Sequence, residues 1–264
     1  MIHGKYYDLT DFKHPGGHIP IGLVEGRDGT ELFETHHIFT DKDIPDIMSR
    51  YEIPKPKKTI KESGVYDWKA TLADPFTKEI KEMARKVLGK DIKSPKWRHY
   101  QVVFFLLVAV WQAYVLLFEG AWYAMIAMPI AMWMFGSNVF HEASHFAMSW
   151  NPIWNQIGLE AGFNFMLPYV WYHHHVIGHH NYPNIKGMDP DLYHGPVIVR
   201  NSTDTKHRVQ HKLQSVTFML MWIINVPFGF LTKGFFEAYK QESLRGVVPF
   251  ANNANLNIKD LVPR

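Results

Sequence analysis

Residues 120–146 read GAWYAMIAMPIAMWMFGSNVFHEASHF. The part from 120 to 140 carries no charge and runs directly into two histidines four positions apart, His141 and His145. On a helix that spacing sets both rings on one face. A second uncharged stretch, QVVFFLLVAVWQAYVLLF (101–118), comes just before, separated only by Glu119-Gly120. Each stretch approaches the ~20 apolar residues that cross a bilayer core. With so short a break the two read as a membrane hairpin that delivers a pair of imidazoles to one membrane surface. The other reading, two buried helices of a soluble protein, must hide both uncharged stretches in a core of modest size.

Working outward, a third apolar stretch, SVTFMLMWIINVPFGFL, begins at 215. The expected spans are therefore about 101–118, 121–140 and 215–232. Lys81, Arg85, Lys86, Lys90, Lys93, Lys96 and Arg98 precede the first of them. The excess of cations places that side in the cytosol, and a hairpin returns the chain there at about residue 140. Residues 74–90 have a helical pattern, with Phe76, Ile80, Met83, Ala84 and Val87 on one face. Residues 51–73 start with the Pro- and Lys-rich YEIPKPKKTIKESGV and read as a linker. Residues 1–50 are polar. The net charge of +3 gives no reason to expect a nucleic-acid partner. The chain has no cysteine, which excludes disulfides, thiolate metal sites and cysteine nucleophiles.

Histidine is the outlier. Eight of the sixteen lie between 141 and 194, including the run WYHHHVIGHHNYPN (171–184). There His175 and His179 are four apart and His180 adjoins His179. A third pair, His207 and His211, repeats the spacing in HRVQH. HEASH by itself fits a zinc protease, with Glu142 as the general base. It fits equally well as half of an iron site, because imidazole suits zinc, iron and copper alike. A catalytic zinc takes three protein ligands and keeps one position open. His141, His145, His175, His179 and His180, with His211 beyond them, are too many for one zinc and suit two irons.

The strings HEASH and, thirty residues on, HHHVIGHHNYPNIKGMDPDL resemble the first two histidine boxes of the membrane fatty acid desaturases. The second string is similar to that of the acyl-lipid, front-end branch, and HRVQH to the motif that follows it there. The likeness covers roughly residues 97–250. It implies His141, His145, His175, His179, His180 and His211 as ligands of two non-haem irons, with Glu142 orienting a ligand ring. The family carries a third box, Q-x-x-H-H, and this sequence has no histidine after His211. The resemblance therefore implies a chain cut short at this end and, as it stands, inactive.

The front of the chain supports the same reading. KYYDLTDFKHPGG (5–17) and GRDGTELFETHH (26–37) resemble the second half of a cytochrome b5 domain. His14 of HPGG is then one axial ligand of haem b. His37, placed by Asp28, Thr30 and Phe33, is the other, with His36 the alternative. Family members carry more chain ahead of this strand. A haem held on both faces transfers electrons and does not bind oxygen.

The expected fold is mainly α: a partial cytochrome b5-like α+β haem module, then a multi-helix transmembrane desaturase domain over 74–264. The activity implied is introduction of a cis double bond into an acyl-lipid or acyl-CoA. It uses O2 and electrons that an NAD(P)H-dependent cytochrome b5 reductase passes to the haem. The setting implied is the endoplasmic reticulum membrane, crossed several times, with the histidine boxes and haem module facing the cytosol. A sphingolipid desaturase or acyl hydroxylase of the same superfamily is the nearest alternative. An intramembrane zinc protease, or a haem-bearing membrane protein without catalysis, is the more distant one.

Overall fold

A computed structural model describes residues 1–38, 44–57, 59–60, 62, 64–88, 95–162, 167–186, 188–193, 199–200, 203 and 205–225. It divides into two compact units, Met1–Ser94 and Pro95–Arg264.

The front unit mixes short helices with one strand pair. Strand β1 (Tyr6–Tyr7) runs antiparallel to β2 (Glu52–Ile53), with Tyr6 opposite Ile53 and Tyr7 opposite Glu52. Asp8 N donates to Tyr51 O at 2.9 Å and Ile60 N to the Tyr6 hydroxyl at 2.9 Å. The stretch read as a linker from residue 51 therefore begins as a strand of this unit. Between the strands lie α1 (Ile19–Val24), α2 (Thr30–His36) and α3 (Ile44–Ser49). Asp28 starts α2 by accepting from the Thr30 amide and hydroxyl, at 3.1 and 2.6 Å. Ile2, Tyr6, Leu23 and Leu32 are the buried apolar side chains. Two further helices follow, α4 (Trp68–Ala73) and α5 (Pro75–Leu88). Asp67 caps α4 by accepting from Ala70 N at 2.9 Å. Helix α5 buries no residue at all.

In the second unit α6 (Trp97–Phe118) is the one helix, among the described residues, long and apolar enough to cross a membrane. It ends at Glu119-Gly120, where Gly120 takes a φ of +76° that disfavours any side chain. The second expected span, 121–140, is helical only from Ala124 onward, and not uniformly so. It comprises α7 (Ala124–Phe135), a π-helical turn (Gly136–Phe140) and α8 (His141–Ser144). Side chains explain the change of pitch. Asn138 Nδ2 and Ser137 Oγ both donate to Met134 O, at 2.8 and 3.2 Å, and compete with the α-helical ladder. Helices α6 and α7 pack together, with Ala113, Ala124 and Ala131 buried, small side chains that permit close approach.

Beyond α8 come α9 (Pro152–Ala161), α10 (Pro168–Trp171) and a second π-helical stretch (Tyr172–His179). Two 3-10 turns follow, Pro190–Tyr193 and Val209–Leu213. Helix α11 (Gln214–Asn225) holds the start of the third expected span; the rest of that span lies outside the described residues. Phe140, fully enclosed, anchors this unit's core with Val139, Ala143, Leu159, Val170 and Val176. A Cβ on Gly162 would stand 2.5 Å from the Phe140 ring, so α9 can end here only on a glycine.

Candidate metal centre

Helix α8 and the second π-helical stretch supply the four imidazoles that converge. The ligand nitrogens of His141, His145, His175 and His180 all lie within 4.8 Å of one another. Two contacts knit them: His141 Nε2 to His175 Nε2 at 3.0 Å, and His180 Nε2 to His175 Nε2 at 2.9 Å. The π pitch makes the second contact. Residues five apart are roughly 140° apart around an α-helix. An i→i+5 ladder stacks them instead, and His180 N bonds His175 O at 2.9 Å. The sequence-based pairing of His175 with His179 on one α-helical face gives way to His175 with His180.

His179 belongs to a neighbouring group with Asp189 and Asp191. Its Nδ1 lies 3.0 Å from Asp189 Oδ1 and 3.3 Å from Asp191 Oδ2. Asp191 Oδ1 takes His174 Nε2 at 2.7 Å. Asp189 is only 1% exposed, and its carboxylate also accepts from Asn184 N at 2.7 Å and Asp191 N at 2.9 Å. A buried carboxylate on Nδ1 holds the proton there and presents Nε2 as the lone-pair nitrogen, the usual outer-sphere support of a ligand histidine. These two aspartates are the residues that sequence reasoning missed as supports. Their signal was DPD at 189–191, ten residues past His179.

Other side chains hold the quartet. Glu142 Oε1 lies 3.3 Å from His141 Nδ1, a place from which it can orient that ring. Trp171 stacks on His175 at 4.1 Å and donates from its indole to Ser144 Oγ at 2.9 Å, and Ser144 donates to His141 O at 2.6 Å. Burial, then the imidazoles of His180, His145 and His141, hold His175 down to about 2, with Asp191 working weakly the other way. His175 therefore stays neutral, the form that binds metal. The donor set is all imidazole, with no thiolate or carboxylate in the quartet. It fits iron, and the two histidine clusters together fit a diiron site.

His211 stands apart from both groups. It is buried, its Nδ1 accepts from Arg208 N at 3.1 Å, and its Nε2 bonds nothing among the described residues. His207 lies beside it, ring centroids 5.7 Å apart.

In the front unit, the rings of His14 and His37 meet edge to face with centroids 6.1 Å apart and planes at 84°. His37 donates from Nδ1 to Phe33 O at 2.8 Å, which leaves Nε2 free to bind a metal. His36 makes the same kind of bond, from Nδ1 to Leu32 O at 3.0 Å, so it is the ring contact with His14 that singles out His37. The ring of His14 lies over Gly16, where a Cβ would stand 3.1 Å from it. Gly16 N donates to His14 Nδ1 at 3.0 Å. Burial, then His37 and His36, push the His14 imidazole below its usual range, so it too stays neutral.

Residues 120–248 match the fatty acid desaturase family, and residues 1–57 match the cytochrome b5-like haem/steroid binding domain. The protein is a cytochrome b5-like domain joined to a fatty acid desaturase domain. An acyl-lipid (8-3)-desaturase B of Dictyostelium discoideum is 31% identical over 232 residues, 82% of this chain and 48% of the relative. An acyl-lipid (8-3)-desaturase of Mortierella alpina is 33% identical over 215 residues, 72% of this chain and 44% of that protein. A cytochrome b5-related protein of Drosophila melanogaster is 28% identical over 199 residues, 69% of this chain and 39% of that protein. The chain thus spans about half the length of the curated desaturases it matches. No solved structure matches it. The cytochrome b5-like domain implies haem. The desaturase family is membrane-bound and uses a diiron centre, and the histidine clusters of this chain could hold metal.

Proposed function

We propose that the protein introduces a cis double bond into an acyl chain carried by a lipid or coenzyme A. The observation that carries this reading is the convergence of four imidazoles, His141, His145, His175 and His180, beside a fifth, His179, braced by aspartates. That is more nitrogen than a hydrolytic zinc binds. In the net reaction two neighbouring carbons each lose a hydrogen. O2 takes up both hydrogens with two electrons and two protons and leaves as two waters. Bound iron supplies the oxygen activation.

The chain's own residues hold and orient. Asp189 and Asp191 set the His179 ring, Glu142 sets His141, and Trp171 lies flat on His175. The zinc-protease reading needs Glu142 as the base, and its carboxylate is turned to the His141 ring instead. His14 and His37 would hold a haem, which would supply electrons drawn from an NAD(P)H-dependent reductase. Tethering keeps that haem at high effective concentration. We place the histidine clusters and the haem module on the cytosolic side of the endoplasmic reticulum membrane. The seven basic residues before or at the start of α6 support this.

The test feeds cells expressing the natural full-length protein an acyl chain deuterated on adjacent carbons and reads lipid products by mass spectrometry. A double bond with two deuteriums lost, abolished by His175→Ala, is the expected outcome. One added oxygen with a single deuterium lost would make the protein a hydroxylase. The purified chain is assayed for metal beside it. One zinc retained in the His175→Ala/His179→Ala double variant would return the HEASH pair to the protease reading.

A further inference from the structure

Helix α5 (Pro75–Leu88) is amphipathic yet covered by nothing described. Phe76, Ile80, Met83 and Val87 follow the i, i+4, i+7, i+11 spacing of one helix face. They are 69%, 44%, 48% and 82% exposed. A stripe of that size normally turns toward a protein core or a lipid surface. Charge chooses between them. Lys78 and Arg85 lie on the face opposite the stripe with Lys81 beside them, and Lys86 lies at the stripe's other edge next to Glu79. From 78 to 98, where α6 has begun, eight lysines and arginines face three acidic residues. Four or more cations directly before a membrane span are the footprint of an anionic lipid surface.

We infer that α5 lies in the headgroup layer of the membrane, its Phe76–Ile80–Met83–Val87 face in the acyl boundary and its basic polar face among anionic headgroups and water. The surface is separate from both histidine sites. It anchors the chain between the haem module and the first span and makes the setting of that module depend on lipid charge. The inference rests on reading α6 as a span, which its test checks separately.

The protein has no cysteine, so single cysteines can each carry one spin label. Labels go at 76, 80, 83 and 87, at 78, 82 and 85, and at 107 within α6. The full chain is reconstituted in nanodiscs of phosphatidylcholine alone or with phosphatidylserine. Every labelled position on α5 is solvent-facing or half-buried, so folding is not at stake. Labels at 76, 80, 83 and 87 are expected to meet lipid-dissolved oxygen, and those at 78, 82 and 85 a water-soluble nickel complex. Phosphatidylserine deepens the first set. A cation near an anionic surface is worth about a fivefold change in partitioning. Lys78→Glu/Lys81→Glu/Arg85→Glu/Lys86→Glu therefore abolishes the lipid dependence. Water access at 80 and 87 overturns the inference, as does shielding from both probes, which means a protein cover, or indifference to phosphatidylserine. A label at 107 that fails to meet oxygen sinks the membrane reading itself. A deep label at 107 with α5 in water sinks only this inference.

Discussion

Every acceptor position on Asp189 that faces a described residue is used: His179 and the Asp191 amide on one oxygen, the Asn184 amide on the other. Asn184 reaches it by taking a φ of +62°, a left-handed conformation that asparagine tolerates better than most residues. Asp189→Ala removes the proton holder of His179 and is expected to weaken ferrous iron binding about 10- to 100-fold. Anaerobic titration, with circular dichroism to show that the helices persist, measures it; unchanged affinity would make the carboxylate purely structural. Glu160 shows the opposite use of burial. Its Oε2 is buried and bonded to nothing among the described residues, and desolvation raises its pKa from 4.5. The folded state thus holds this proton more tightly than the unfolded state. Its stabilising share is full below pH 4.5 and is lost as pH rises through the folded value. Glu160→Gln, neutral throughout, is expected to melt higher than the parent at pH 7.5, and the gap should close toward pH 4.5.

At the scale of elements, two pitch changes build the centre. Periodicity at 3.6 residues places His141 and His145 together correctly, because both belong to an α-helical turn with rings 4.8 Å apart. The same rule applied to 175–180 picks His179 as partner of His175. The π ladder there needs contacts from distant residues, and no local pattern announces them. Gly178 is one such contact: a Cβ there would come within 2.7 Å of Pro190 Cγ and 3.0 Å of His173 O. Pro190 sits between the two bracing aspartates, so Gly178→Ala is expected to push the bracket off His179. The cost is about 1–3 kcal/mol of stability, the usual range for overpacking, with weaker metal binding. A variant that binds iron and melts like the parent would show that Pro190 yields freely. The apolar stretch 101–118 was legible because uncharged residues leave little alternative; the helix begins four residues sooner, at Trp97, and takes in Arg98.

Across the whole molecule, two separate units hold two separate sets of histidines, and each set draws its supports from within its own unit. His37 relies on Phe33 O, and His141 and His175 rely on Glu142, Trp171 and Ser144. His37→Ala is therefore expected to abolish the haem absorption band while leaving non-haem iron per chain unchanged, and His175→Ala to do the reverse. Loss of both signals from either variant would show that the units depend on each other to fold. The front unit was legible from HPGG and the spacing to His37. The strand at 52–53 was not, because its partner Tyr6–Tyr7 lies far off along the chain and the lysines and prolines after it read as open linker.

The composition of the quartet has one more consequence. Four imidazoles offer nitrogen alone, with no carboxylate and no sulfur, so nothing in their chemistry favours ferrous iron over its competitors. Such a site follows the general order of divalent affinities, in which copper and zinc outrank iron. The element that occupies it is then decided by what the cell keeps available at the moment of assembly, and protein made in zinc-rich medium should emerge colourless at this site and catalytically silent.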